Sequence, residues 1–509
     1  MGIGEGRFRR ISYAYSNILE SLAWHRPRYA PEWGSGGIFG LRYHRGYLYY
    51  TLAFEALAFF ISSDQNHEIL LYDFNAVGSP PRSGGDTYNA VEAIDNLMFF
   101  GGWIHAPAIF KGKSGRRAEI SFRHKYSHIH VFDVDEESVK LLWKDSIHNE
   151  RYWAGEVSDI LYDPVNDRLL IARGDGHEKL GIYSLDYRRG KASLIDSSVA
   201  LKGELYMDYA CFGLRLTPES GERLRENPHI TCIDLVEDTT YKVKLNERGY
   251  VDGGGPRTPD VVLTASAYSK FYAFQRGGMV YGDPIEGDLL FARLYDLPGA
   301  PMGPVRTSMI YLNGGILVPY NYFSESTIGE RKICSPSILL YITPPTAKVV
   351  GVFGARITSM EAIGDKVLLA TNTNANLTRK ESTPIDIGVR GFTVLNHDSI
   401  VSATPQPYRL RLELTKLLKE SEWGMPSVYG GIPMSGYKSA ILRFKCEGEC
   451  RVTVYSYDLS TYPGEEERDV YRVDNGNGMN KLILEGYGSS IISFEFKGRL
   501  KSDVVIDVI

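Results

Sequence analysis

The sequence predicts an all-β chain: a β-propeller, most simply of seven blades with six as the fallback, followed by a small C-terminal β-sandwich. Three observations lead there. A short apolar stretch ending in an aromatic residue or Ile, often followed by Asp, recurs along the chain as EILLYDFN from Glu68, HIHVFDVD from His128, LGIYSLD from Leu180 and ITCIDLVE from Ile230. Weaker copies are LLFARLYD from Leu289, SILLYITPP from Ser337 and GFTVLNHD from Gly391, giving seven in all, about 50–60 residues apart. Known four-stranded propeller repeats run about 40–50 residues, and a strand-rich repeat of this order builds small sheets around an axis. Thirdly, periodic runs of helix formers are scarce, whereas Gly (52) and Tyr (34) are plentiful, as tight turns and half-buried strands require.

The best-defined repeat is GEVSDILYDPVNDRLLIARGDGHEKLGIYSLDYRRGKASLIDSS. Val157 to Tyr162 alternates as a strand, DPVND is turn chemistry with Pro in second place, and Arg168 to Ala172 is a second strand. RGDGHEK is a polar loop, Leu180 to Asp186 a third strand, and Ala192 to Asp196 a fourth. The same grammar returns from Gly303 and Gly354, where a Thr-Ser-Met strand leads through a Gly turn into ILVPY or VLLAT, and more loosely from Gly36 and Gly84. The apolar run from Tyr47, interrupted by Glu55, is shorter than a membrane span and is expected to be a buried strand and turn.

Pro405-Gln406-Pro407 marks a boundary. The expected organisation is an N-terminal segment over 1–34 that packs on or closes the ring, a propeller over 35–405, and a jelly-roll-like β-sandwich over 408–509. The stretch from Arg409 to Trp423 reads either as a helix or as a strand followed by a helical turn. Beyond it, CEGEC (Cys446 to Cys450) is expected to be the tight turn of a hairpin, and its two cysteines either pair or remain free thiols.

The clearest repeat, with GEVSDILYDP and GHEKLGIYSLD, resembles an archaeal family of conserved proteins known only as a domain of unknown function. The resemblance covers most of 35–405. It implies an archaeal source and this fold, and it assigns no activity and no catalytic residue.

Composition narrows the function. The apolar fraction of 43% is that of a folded globular chain, and a formal charge of −5 gives no general attraction to nucleic acid or anionic lipid. Five cysteines are too few for a secreted disulfide scaffold, and no apolar h-region follows the N-terminal basic cluster. A cytoplasmic protein with no membrane and no nucleic-acid partner is expected, and abundant Arg, Glu and Tyr would suit a thermophile. Nucleotide loops, a GxSxG elbow and HExxH are not found; DGGGPRTPD from Asp252 and GDGHEK from Gly174 lack the required residues. His128 and His130 share one strand face without a third ligand at a telling spacing, so no metal and no cofactor is expected.

Propellers bind ligands where the loops entering innermost strands and the loops between second and third strands open together. The repeat register assigns to that face Asp86, Trp103, His105, Glu156, Arg173, Asp175, His177, Asp283, Arg306, Tyr322 and Arg356. Asp64 to His67, Tyr88, Tyr281, Asn321, Asn372 and Asn374 fall there too. Each of these residues also has an ordinary role as turn former or ion-pair partner. Carboxylates, imidazoles, arginines and aromatics in one place suit a polar small molecule or a glycan. The alternative is a non-catalytic scaffold that offers its loops to a protein partner.

Overall fold

The computed structural model describes residues 9–12, 37–53, 57–62, 68–73, 83–105, 113–114, 117–118, 122–123, 125–214, 229–244, 258–297, 302–322, 337–372, 390–412, 414, 428–459, 467–473 and 478–509. The chain is all-β. Among the described residues the one named α-helix is His397–Val401, and no helix is long and apolar enough to cross a membrane.

Sheets form in chain order from antiparallel neighbours. The first holds Ile38–His44, Tyr47–Leu52, Leu57–Ser62 and Glu68–Asp73, with Arg9–Ser12 along its outer edge. In the second, Ser83–Gly85 and Val91–Ile94 both pair with Leu97–His105, followed by Tyr126–Asp133 and Ser138–Asp145. The third (Glu156–Asp163 to Lys191–Asp196), fourth (Ala200–Tyr206 to Thr239–Lys244), fifth (Thr258–Ala267 to Asp288–Arg293) and sixth (Ile310–Leu312 to Thr346–Phe353) have four strands each. The seventh has three: Arg356–Ile363, Lys366–Asn372 and Arg390–Asn396. The apolar run from Tyr47 is two buried strands on either side of residues 54–56, which lie outside the described residues.

Strand alternation sends successive side chains to opposite neighbours. Leu169 and Ile171 pack toward the second sheet with Phe99 and Ile129, while Leu170 and Ala172 pack toward the fourth with Phe212 and Ile233. Val367 and Leu369 join Leu317 and Leu339 of the sixth sheet, and Leu368 and Ala370 join Ile38, Leu48 and Tyr50 of the first. The last sheet thus shares a core with the first, in a propeller-like arrangement.

Among the described residues each innermost strand has one edge with no strand beside it. Bulges near the start of five of these strands, at Phe39/Arg42, Glu156/Asp159, Ala200/Gly203, Thr258/Leu263 and Ile357/Ser359, turn backbone groups toward the next sheet. Polar side chains meet them. Asp159 accepts from Gly203 N (2.8 Å), Ser359 Oγ from Leu41 N (3.0 Å) and Asn89 Oδ1 from Gly40 N (2.7 Å). Fully buried Asn321 serves both groups of Ile357, donating to its carbonyl at 2.8 Å and accepting from its amide at 3.1 Å.

The recurring Asp has a local cause. Asp133, Asp186, Asp234 and Asp283 each accept, through Oδ1, the amides two and three residues on, closing the turn between third and fourth strands. LLFARLYD departs from this rule: Asp288–Arg293 is a fourth strand, and the third strand of that sheet is Gly278–Asp283. Asp296 is instead buried against Arg293 Nη1 at 2.5 Å. The copies from Ile230 and Gly391 both supply strands, His229–Asp234 and Arg390–Asn396.

After the seventh sheet come two four-stranded antiparallel sheets. One contains Tyr408–Leu412, Ser439–Phe444, Asn480–Glu485 and Val504–Val508; the other contains Val428–Pro433, Cys446–Tyr457, Glu467–Val473 and Ile491–Leu500. Their buried residues fall in one cluster with those of the fifth and sixth sheets, and Gly430 exchanges backbone hydrogen bonds with Asp296 at 2.9 Å. The stretch from Arg409 begins as a strand, and residues 415–427 lie outside the described residues. CEGEC is not a hairpin turn. It is a bulge inside one long strand, with Gly448 at φ 78° and the register broken between Glu447 and Arg451. A disulfide joins Cys446 to Cys450 across the bulge, and a second, unforeseen one joins the cross-strand pair Cys211 and Cys232.

Asn321→Ala leaves the amide and carbonyl of Ile357 buried without their partner, so it should lower the free energy of unfolding by about 2–4 kcal/mol in a urea titration. A loss under about 0.5 kcal/mol would mean that the neighbouring backbone finds other partners. Unreduced, denatured protein should titrate one thiol per chain, that of Cys334, against five after reduction.

Candidate functional site

The innermost strands begin, and the second strands end, at one rim of the sheet array. Gly85 pairs with Trp103, Glu156 with Asp175 and Arg356 with Asn372, while Gly303 bridges Asn321. Polar groups concentrate where the second and third sheets meet there. The innermost strand of the second sheet is interrupted over 86–90, and the fully buried Asp86 carboxylate organises the break by accepting from Tyr88 N (2.7 Å) and Ala90 N (2.9 Å). Burial pushes its carboxyl up to about 6, against the pull of those amides and of Lys202. The break carries Thr87 and Tyr88 toward the third sheet. Thr87 Oγ1 donates to Glu156 Oε1 and Tyr88 OH to Asp175 Oδ2, both at 2.7 Å.

Glu156 is 2% exposed. Burial raises its carboxyl to about 8, with Asp175 adding to the shift and Lys125, Thr87 and Arg306 opposing it. Lys125, 6% exposed, stands between two indoles, its Nζ 4.5 Å from the Trp103 ring centroid and 4.3 Å from that of Trp153. Burial lowers its ammonium pKa, Arg306 adds to this, and Glu156 and Asp175 pull the other way. Trp153 packs on Phe122 (4.2 Å) and on the His177 ring (4.0 Å). From the segment before the sixth sheet, the Arg306 guanidinium lies 5.4 Å from the centre of the Tyr88 ring. Tyr88, Leu201, Val262 and Val305 form a small apolar cluster beneath. The arrangement thus offers two carboxyls with different environments, an ammonium, a guanidinium and a phenol.

Among the residues expected at this rim, Trp103, Glu156, Asp175, His177 and Arg306 come together, with Asp86 behind them as an organiser of the backbone. Arg173 does not join them. It is 1% exposed, pairs with Asp145 at 2.9 Å and stacks between Trp143 and Tyr183, because its place on the strand turns it toward the second sheet's outer strand. Asp283 caps a turn between third and fourth strands, at the other end of its sheet, a consequence of the misread LLFARLYD copy. Tyr281 is buried for the same reason, and Tyr322 packs against the large cluster of the fifth and sixth sheets. Arg356 is buried on the seventh sheet, opposite Asn372 in the strand register. The side chain of His105 and all of Asp64 to His67 and Asn374 lie outside the described residues.

Sequence reasoning missed Lys125, Trp153, Thr87 and Phe122. Lys125 closes the loop whose opening residues, Trp103 and His105, the repeat register assigns to the rim, and Trp153 precedes Glu156 by three positions. Both were within reach of the same register argument extended to the far end of each loop. His128 and His130 are core residues with Nδ1 atoms 2.8 Å apart, and burial lowers both, His128 to about 3. Among the described residues no three His, Cys, Asp or Glu side chains are grouped to hold a metal ion.

A second acidic set lies along the innermost strands. Glu92, Glu204 and Glu361 each sit two residues before the strand end and accept the amide of the next residue, at 2.8, 3.1 and 3.2 Å. Burial raises Glu204 to about 8 and Glu361 to about 7. A carboxyl raised in the folded state binds its proton more tightly there than in the unfolded chain. Its stabilising effect is complete below the unfolded value near 4.5 and is lost as pH climbs through the folded value. The melting temperature should therefore fall between pH 5 and about 8.5, and Glu204→Gln should flatten that slope. A melting temperature that rises over this interval would contradict the assignment.

Among proteins of curated function, none matches this sequence. Of solved structures, an exo-β-1,3-galactanase from Phanerochaete chrysosporium with galactose aligns at 9% identity over 84% of this chain and 96% of its own, with a TM-score of 0.31. A glycoside hydrolase family 43 arabinoxylan arabinofuranohydrolase from Bacillus subtilis in complex with cellotetraose aligns at 10% identity, over 84% and 94%, with a TM-score of 0.28. Overlaps this slight lend no weight to an assignment of fold or chemistry. The sequence itself is decisive about kinship: residues 48–380 match the family described as uncharacterised proteins conserved in archaea (DUF2139), and the chain belongs to that family.

Proposed function

We propose that this protein binds a polar small molecule or glycan at the rim formed by Thr87, Tyr88, Trp103, Lys125, Trp153, Glu156, Asp175 and Arg306. The observation that carries the reading is the company Lys125 keeps: a nearly buried ammonium between two indoles, beside a carboxyl pair on adjacent strands. Charged groups are costly to withdraw from water, and perturbed ones gathered at a loop face are characteristic of ligand sites. A protein-docking rim would instead be broad and apolar, so the binding reading is preferred to the scaffold. We read the seven sheets as seven blades over 35–405, the last two sheets as a β-sandwich over 408–509, and 1–34 as a segment that packs on or closes the ring, a reading supported by the pairing of Arg9–Ser12 with Glu68–Asp73. Supporting the ring are the core shared by first and seventh sheets and the bond from Thr358 Oγ1 to Ile38 O at 2.7 Å.

The test is a panel of monosaccharides, short oligosaccharides, polyols and hydroxy acids, followed by thermal shift and by tryptophan fluorescence. A ligand at a hundredfold excess over its Kd adds about 2.7 kcal/mol to stability, enough for a clear shift. Asp175→Asn with Tyr88→Phe should abolish that shift while leaving the unliganded circular dichroism spectrum unchanged. If the doubly substituted protein responds like the wild type, the ligand sits elsewhere.

A further inference from the structure

We propose that the ligand at this rim carries an anionic head group, a carboxylate or a phosphate, on a hydroxylated body, and that Lys125 receives the head group. The inference rests on the binding reading above and narrows it to a chemical class. An ammonium brings three N–H donors and no acceptor. Lys125 is 6% exposed, yet among the described residues no oxygen accepts a hydrogen bond from its Nζ, whose neighbours are the faces of Trp103, Trp153 and Phe122. Ring faces attract the charge but do not replace directed acceptors.

The two acidic neighbours are already engaged. Glu156 accepts from Thr87 and Asp175 from Tyr88, and the charge of each favours the ammonium form of Lys125. Arg306 places a second cation on the same side, close enough that each positive charge disfavours the other. A neutral hydroxyl would satisfy a lysine donor and leave the cations repelling one another. An anionic oxygen pair between them relieves the repulsion and makes charge-assisted bonds about twice as strong as neutral ones. Hydroxyls on the ligand body, which both donate and accept, match Asp175 and the Tyr88 phenol.

Isothermal titration calorimetry at low ionic strength, with D-glucuronate, glucose 6-phosphate and D-glucose as probes, tests this. At least one anion should bind about 10-fold or more tightly than glucose, and the two anionic arms distinguish carboxylate from phosphate. Lys125→Met and Arg306→Gln should each weaken the anion about 10-fold more than they weaken glucose. Glucose binding as tightly as both anions, with loss of that binding in Asp175→Asn, would overturn the head-group assignment and leave the binding reading standing. An anion preference that survives both substitutions would also overturn it. No binding by any of the three probes would overturn the head-group assignment, while the broader binding reading answers to the panel above. Should Lys125→Met fail to fold by circular dichroism, Arg306→Gln, altered at a half-buried loop position, carries the comparison alone.

Discussion

Among the described residues every innermost strand of the seven sheets has an edge that no strand pairs, and a buried amide or carbonyl without a partner costs about 1–3 kcal/mol. That constraint governs much of the rest. It explains why the junctions between sheets carry Asn89, Asp159, Ser308, Asn321, Thr358 and Ser359 in places where apolar packing alone would favour Val or Leu. Asp159 is held by Lys202 at 3.0 Å as well as by Gly203 N, so even the charge used for this purpose is paired. Apolar clusters supply adhesion between sheets, and these short polar side chains fix which backbone group faces which.

The candidate site grows out of the same constraint. In the second sheet the innermost strand does not run through; it breaks at Asp86, whose carboxylate replaces the missing strand partner by taking two amides. The break frees Thr87 and Tyr88 to reach the carboxyls of the third sheet. A residue expected to touch a ligand thus has the more basic task of shaping the loop that does. Arg173 illustrates the opposite outcome. One strand position from the rim, it is turned into an interface and spends its charge on Asp145.

What was legible in the sequence was local. The phrase ending in Asp reports an Asx turn, which depends on two following amides and on nothing distant, and so it survives as a repeat. Val157 to Tyr162 and its partners were readable because alternation and turn residues agree there. The failure at LLFARLYD has the same root: Asp296 ends an apolar stretch too, but its partners are Arg293 and the backbone of Gly430, which no local pattern announces. CEGEC misled because a glycine between two cysteines fits a hairpin and a bulge equally well. The position of Lys125 was within reach of the register argument, but its role was not. Its meaning comes from Trp153 and Glu156, brought beside it by the packing of one sheet on the next, and sequence distance conceals that.

Arg306 and Glu156 belong to distant stretches of chain, one before the sixth sheet and the other opening the third, yet they act on one another across the rim. A ligand held by Arg306 and by Lys125, beside Glu156, would be a crossbar. The sheet array has no shared strand joining last to first among the described residues; side chains alone hold that seam, with Leu368 and Ala370 against Ile38 and Tyr50. A hoop fastened in this way yields first at its seam when strained, and a crossbar spanning it limits how far the hoop can spread. Occupancy of the rim and integrity of the seam between the first and seventh sheets would then be two readings of one mechanical quantity, the spread of the sheet array.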